Sequence, residues 1–251
     1  MSLRGLRLAT QFLTRIPVPT VSGFSPDELS RSAAWFPFVG GCLGILVALV
    51  VAMGTHANGI LGAALGVLAW SWVTGALHLD GLADLTDALA ASHRDPQRFF
   101  AVLADPRIGT FGVVSIVLAL MLKWAALTAV PSTAWPALAL IPAWARLGPL
   151  VWSRWLGALK PGSGERFAWN LHAGWIVFWM LVLLLCSAAI APVLCAAPLV
   201  LAGWGIWLYA RLGGFTGDCL GAGVEITEVV LVVALACCGS SGAPLRLGFQ
   251  P

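Results

Sequence analysis

Three aspartates, Asp80, Asp84 and Asp87, stand in the run His78-Leu79-Asp80-Gly81-Leu82-Ala83-Asp84-Leu85-Thr86-Asp87. Their spacing of i, i+4 and i+7 puts them on one helical face. Three anionic side chains on one face repel each other unless a cation holds them, and hard carboxylate oxygens suit Mg2+ or Mn2+. The run follows a long apolar stretch, so Asp80 falls at or just under the headgroup level, where an unpaired charge is costly. A solvated acidic loop is the bland alternative, but Gly81 and the small Ala83 leave open space beside the acids. The expectation is a divalent-metal site at a membrane surface.

A second cluster, Asp105-Pro106-Arg107-Ile108-Gly109-Thr110-Phe111-Gly112, precedes another apolar run. Pro106 favours the first turn of a helix, and Asp105 at its N-cap would need no further role. Beside the first acidic face, Asp105 could instead complete a metal cage, with Arg107 gripping a phosphate through its planar fork. A third cluster runs Gly213-Gly214-Phe215-Thr216-Gly217-Asp218. Its glycines let backbone N–H groups converge on an anion, and Asp218 adds another carboxylate. Gly214, Thr216 and Gly217 are therefore candidate substrate-binding residues. Asp218 and Glu225, seven apart, share a helical face, and Glu225 requires a partner if it enters the membrane.

Lys123 and Arg146 lie deep inside apolar runs, where ionisable residues face the protein interior or a wet cavity. With Arg107, Arg15 and Arg31 they supply the positive charge that a pyrophosphate needs. His78 reads either as a hydrogen-bonding helix terminator or as a catalyst, and His56, His93 and His172 form no ligand spacing. Carboxylates around a metal, arginines and a glycine turn are what phosphoryl or nucleotidyl transfer requires. The absence of a Walker-type loop argues against an NTP-driven pump.

The elements that hold these groups must be membrane helices. Of 251 residues, 59% are hydrophobic and only 10% charged, against about a quarter charged in soluble domains. The net charge of +3 is too small to argue for nucleic acid. Six cysteines show no CxxC pair and mostly sit in apolar runs as small hydrophobes. The start of the chain mixes Arg4, Arg7 and Arg15 with short apolar stretches, which points to an amphipathic interfacial helix rather than a signal peptide.

Spans of roughly 20 apolar residues are expected near 35–55, 59–77, 110–130, 135–157, 172–190 and 191–210, with a short seventh near 224–238. The fold expected is an all-α polytopic bundle of six to seven spans, a single domain over 1–251. If the N-terminus is cytoplasmic, Arg4, Arg7, Arg15, Arg31, Arg94, Arg98, Arg107, Lys160, Arg166 and Arg211 all fall on the cytoplasmic side. The opposite short loops hold no Lys or Arg, and outside the spans only Arg246 disagrees. The same orientation carries Asp80, Asp84, Asp87, Asp105 and Asp218 to the cytoplasmic face.

These three motifs, with Thr14-Arg15-Ile16-Pro17-Val18-Pro19 and Phe36-Pro37-x-x-Gly40, resemble the cobalamin synthase family (adenosylcobinamide-GDP ribazoletransferase) over almost the whole chain. The resemblance implies a multi-pass inner-membrane enzyme joining adenosylcobinamide-GDP to α-ribazole or its 5′-phosphate, with GMP released and Mg2+ as cofactor. It implies Asp80, Asp84, Asp87 and Asp105 as metal ligands, and Arg107, Arg146, Lys123 and Arg15 as groups for the substrate. Asp218 would complete the metal shell or accept the proton of the attacking ribazole 5′-hydroxyl. Membrane lipid and these small molecules are the implied partners, and self-association into a homo-oligomer is left open. Ala88 replaces a glycine of some relatives, and the polar-leaning tail after Cys238 leaves the last span short or tilted. The nearest rival, a CDP-alcohol phosphotransferase, has a D-G-x-x-A-R spacing that Asp80-Gly81-Leu82-Ala83-Asp84 does not fit. A transporter would place its charges near the bilayer midplane.

Overall fold

The computed structural model describes residues 2–93, 95–160 and 172–239; Arg94, Arg166 and the tail with Arg246 lie outside them. Helix α1 (Leu3–Leu13) starts at Ser2, whose hydroxyl accepts the Gly5 N–H. It buries Leu8, Ala9 and Leu13 while Arg4 and Arg7 stay exposed, and at 11 residues it is too short to cross a bilayer. Helix α2 (Pro26–Ser32) begins with a reciprocal Ser25–Glu28 capping box. It passes through a 3-10 turn (Ala33–Trp35) into α3 (Phe36–Thr55). Asn58 in the expected break caps α4 (Gly59–Thr74) by accepting from Ile60 and Leu61 N–H.

Gly75 and Ala76, with φ of 62° and 59°, then turn the chain by 85° into α5 (Leu77–Ser92). Asp95 caps α6 (Pro96–Leu103), and α7 (Thr110–Ala129) follows. A 3-10 segment (Ser132–Ala139) leads to α8 (Leu140–Trp155). The remaining helices are α9 (Ala173–Ile190), α10 (Ala197–Leu212), preceded by a 3-10 turn at Pro192–Ala196, and α11 (Gly217–Gly239).

Among the described residues five segments are long and apolar enough to cross a membrane, and α4 and α5, bent by 85°, pass the same test only when taken together. The chain is an all-α, multi-pass membrane protein. Two expectations are corrected. The last span is not short: α11 has 23 residues and starts at Gly217, because its acidic first half is paired inside the protein. The expected span at 135–157 starts helical only at Leu140, and every residue from Leu140 to Ser153 is buried. Helices α3, α9, α10 and α11 surround α8, so protein rather than lipid meets its whole circumference.

Indole donors tie α8 to this jacket. Trp144 Nε1 donates to Ser187 Oγ at 3.0 Å and Trp152 Nε1 to the Leu201 carbonyl at 2.8 Å. Between α3 and α8 the backbones nearly touch: a Cβ on Gly44 would overlap the Leu138 carbonyl. Gly44→Val should therefore destabilise the bundle by about 1–3 kcal/mol, read as a lower thermal midpoint of the detergent-solubilised protein. An unchanged midpoint would refute this close packing. Outside, Leu118, Leu181, Leu185 and Ile206 are exposed, as a lipid-facing surface requires.

Candidate active site at one end of the bundle

Helix α5 lies against the start of α11. A Cβ on Gly81 would stand 2.9 Å from the Asp218 carbonyl oxygen and 3.3 Å from Gly221 Cα, so the missing side chain lets the two backbones meet. Asp80 and Asp84 of α5 thereby join Asp218 of α11. The Asp84 carboxyl is pushed up to about 6, first by burial and then by the charges of Asp80, Asp218 and Asp87, with Lys160 opposing. Carboxylates that raise one another in this way are groups in want of a cation.

Lys160 reaches the acids through a short pairing of loops. Phe215 N–H donates to the Gly157 carbonyl at 3.0 Å, and Leu159 N–H donates to the Phe215 carbonyl at 2.8 Å. This parallel bridge between Ala158 and Phe215 sets Lys160 Nζ 3.5 Å from Asp218 Oδ2. The sequence counted Lys160 only as loop charge, and no local spacing could have linked it to Asp218.

The glycine-rich turn serves this pairing more than an anion. Gly213 ends α10 at a φ of 76°, and a Cβ on Gly214 would overlap the Gly157 carbonyl. The buried Thr216 hydroxyl accepts the Cys219 N–H at 3.3 Å and donates to Asp218 Oδ2 at 3.2 Å. Of the three expected binding residues in this turn, Gly217 alone is exposed, with open space around its Cα.

Two of the four expected metal ligands have other partners. Asp87, not Asp105, caps α7: its carboxylate accepts Gly109 N–H at 2.7 Å and Gly112 N–H at 2.9 Å. Side chains at either glycine would overlap that carboxylate, which explains the glycines of the second motif. Residues 106–108 are not helical. Asp105 instead accepts the Arg107 backbone N–H at 3.0 Å and grips its guanidinium at 3.0 and 2.8 Å. Those bonds, the guanidinium's first, hold the Asp105 carboxyl down at about 2.

The basic residues divide likewise. Arg15 is exposed, lies across Gly75, and shares a cleft of about 400 Å³ with Thr74, Ala76 and Asp80. Arg31 lines a separate cavity with Arg4 and Glu28. Lys123 and Arg146, expected to touch substrate, are buried in the bundle. Lys123 Nζ is 2.6 Å from both Glu225 and Glu228, and Arg146 pairs with Glu228. Their charges are already neutralised by the protein.

Among the described residues no three His, Cys, Asp or Glu side chains stand close enough together to cage a metal by themselves. Mg2+ needs no such cage: it gives up water reluctantly and is commonly held by one or two carboxylates, waters and substrate phosphates. Asp80, Asp84 and Asp218, hard donors whose charges oppose one another, fit that manner of binding.

Fold and site together define a polytopic membrane protein with Asp80, Asp84 and Asp218 gathered at one end of a helical bundle. A family model described as cobalamin-5-phosphate synthase matches residues 5–236, and the chain belongs to that family. It is 49% identical over 232 residues to the adenosylcobinamide-GDP ribazoletransferase of Thiobacillus denitrificans, covering 90% of this chain and 92% of that protein. The proteins of the same name from Laribacter hongkongensis and Novosphingobium aromaticivorans are 46% and 43% identical, over 92% and 94% of this chain and 96% and 98% of theirs. No solved structure matches it.

Proposed function

We propose that this chain transfers the corrinoid phosphoryl group of adenosylcobinamide-GDP to α-ribazole or α-ribazole 5′-phosphate, giving adenosylcobalamin or its 5′-phosphate and GMP. The observation that carries this reading is the meeting of Asp80, Asp84 and Asp218 beside Lys160, in a chain nearly half identical to a protein of that name. Mg2+ held by Asp80 and Asp84, with waters and the substrate's own phosphates completing its shell, would neutralise the diphosphate and favour departure of GMP. Arg15, and Lys160 at the long contact it makes with Asp218, are the cations placed to bind the diphosphate, a task Lys123 and Arg146 cannot perform from the core. Asp218 accepts the proton of the attacking ribose hydroxyl. With the phosphorylated acceptor the 5′-oxygen is already esterified, so the nucleophile is another ribose hydroxyl. Its oxygen bonds the phosphorus next to the corrinoid, and the phosphoanhydride bond to GMP breaks.

Lys160→Met should cut kcat/KM about 10- to 100-fold while the protein stays folded; an unchanged value would exclude Lys160 from the diphosphate. The reaction itself is tested with purified protein in lipid, given Mg2+ and each donor. GMP release that requires α-ribazole and stops with chelator supports the reading. CMP release from a CDP-alcohol, or ion flux without turnover, overturns it.

The site faces the cytoplasm across the inner membrane in this reading, since the basic loops and the acids share one end. A tag in the Pro131–Trp135 loop should then be labelled from the opposite side only. Labelling from the cytoplasm would reverse the topology.

A further inference from the structure

The buried ion pairs of α7, α8 and α11 have an outlet toward the site. Arg146 Nη2 lies 3.3 Å from His78 Nδ1. A guanidinium can only donate, so Nδ1 accepts and the ring hydrogen sits on Nε2. Arg146 is itself fixed by Glu228, Glu228 by Lys123, and Lys123 by Glu225, and none of these four side chains is more than 4% exposed. Moving the ring proton to Nδ1 would set an N–H against a buried guanidinium and leave two donors facing each other.

His78 is 5% exposed. It lines a cavity of about 200 Å³ with Asp80, Gly81, Pro149, Asp218 and Gly221. Among the described residues the ring's hydrogen-bond contact is the one that Nδ1 makes with Arg146. A donor of fixed tautomer on a nearly buried ring, in the wall of a cavity shared with two carboxylates, is placed for a ligand oxygen.

We infer that His78 is a further substrate-binding residue: held by Arg146, it donates Nε2–H to a phosphate oxygen of the diphosphate-bearing substrate in the cavity of Asp80 and Asp218. The identity of that diphosphate rests on the function proposed above. Lys123, Arg146, Glu225 and Glu228 then act at one remove, as positioning residues for a neutral donor.

Glutamine can place an amide N–H near the Nε2 position, whereas asparagine reaches only the Nδ1 position. His78→Gln should keep kcat within about tenfold of wild type, and His78→Asn should lose on the order of 100- to 1,000-fold, both eluting as folded protein. In ¹⁵N-histidine spectra of the wild type, His78 should be the Nε2–H tautomer, with its Nε2 resonance shifting on addition of Mg2+ and inorganic pyrophosphate. Equal losses in both variants would mark a packing role and overturn the inference. So would full activity in both, the Nδ1–H tautomer, or an Nε2 resonance indifferent to pyrophosphate. Should wild-type protein release no GMP from the corrinoid donor, the transferase reading falls, while the pyrophosphate titration still decides His78.

Discussion

Asp80→Asn and Asp84→Asn are each expected to insert and fold like wild type yet release GMP about a thousandfold more slowly or worse. The amide keeps the shape of the carboxylate but removes the anion that a hard cation requires. Folding is spared because the native site holds these charges against one another: burial and the neighbouring Asp80, Asp218 and Asp87 push Asp84 up to about 6. Losing one charge relieves that repulsion. Two measurements check the result, GMP release in proteoliposomes and Mn2+ binding followed by electron paramagnetic resonance. Wild type should bind Mn2+ in the presence of the donor and both variants should bind it more weakly. Near-normal turnover in both would remove these residues from the cation site.

The second large effect belongs to the bundle interior. Lys123→Met leaves Glu225 and Glu228 facing each other without the ammonium that stands 2.6 Å from each. Breaking a buried pair in this way costs about 3–5 kcal/mol. Adding Glu225→Gln to Lys123→Met removes one charge of each sign and leaves the Arg146–Glu228 pair intact, so the double variant should recover most of the loss. Thermal midpoints of the detergent-solubilised variants, followed by size-exclusion chromatography, give the comparison. A single variant as stable as wild type, or a double variant worse than the single, would contradict a network built on charge balance.

Much of the scaffold was legible because apolar length and polar breaks are local properties. Asn58 falls in the gap between the first two expected spans, and in the structure it caps α4. The same local logic under-read α11, where Asp218, Glu225 and Glu228 interrupt an apolar run but are answered by Lys160 from a loop and by Lys123 and Arg146 from other helices. It also gave the cap of α7 to Asp105, the nearest aspartate in sequence, when the bonds come from Asp87 on α5. Within the site, the α5 acids could be read from helical spacing. Lys160 could not, since a loop pairing brings it in. Lys123 and Arg146 were recognised as costly charges at depth, but only the fold reveals that their counterions are glutamates of the same chain.

The turn at Gly75 and Ala76 sets the level at which chemistry takes place. Had α5 continued straight from α4, its 16 residues would have risen about 24 Å along the bilayer normal, each acid at its own height. Laid nearly perpendicular to α4, the helix becomes a shelf along which Asp80 and Asp84 share one depth with the head of α11. A reactant too large to pass between spans can then approach sideways along the membrane surface and be met without leaving that plane.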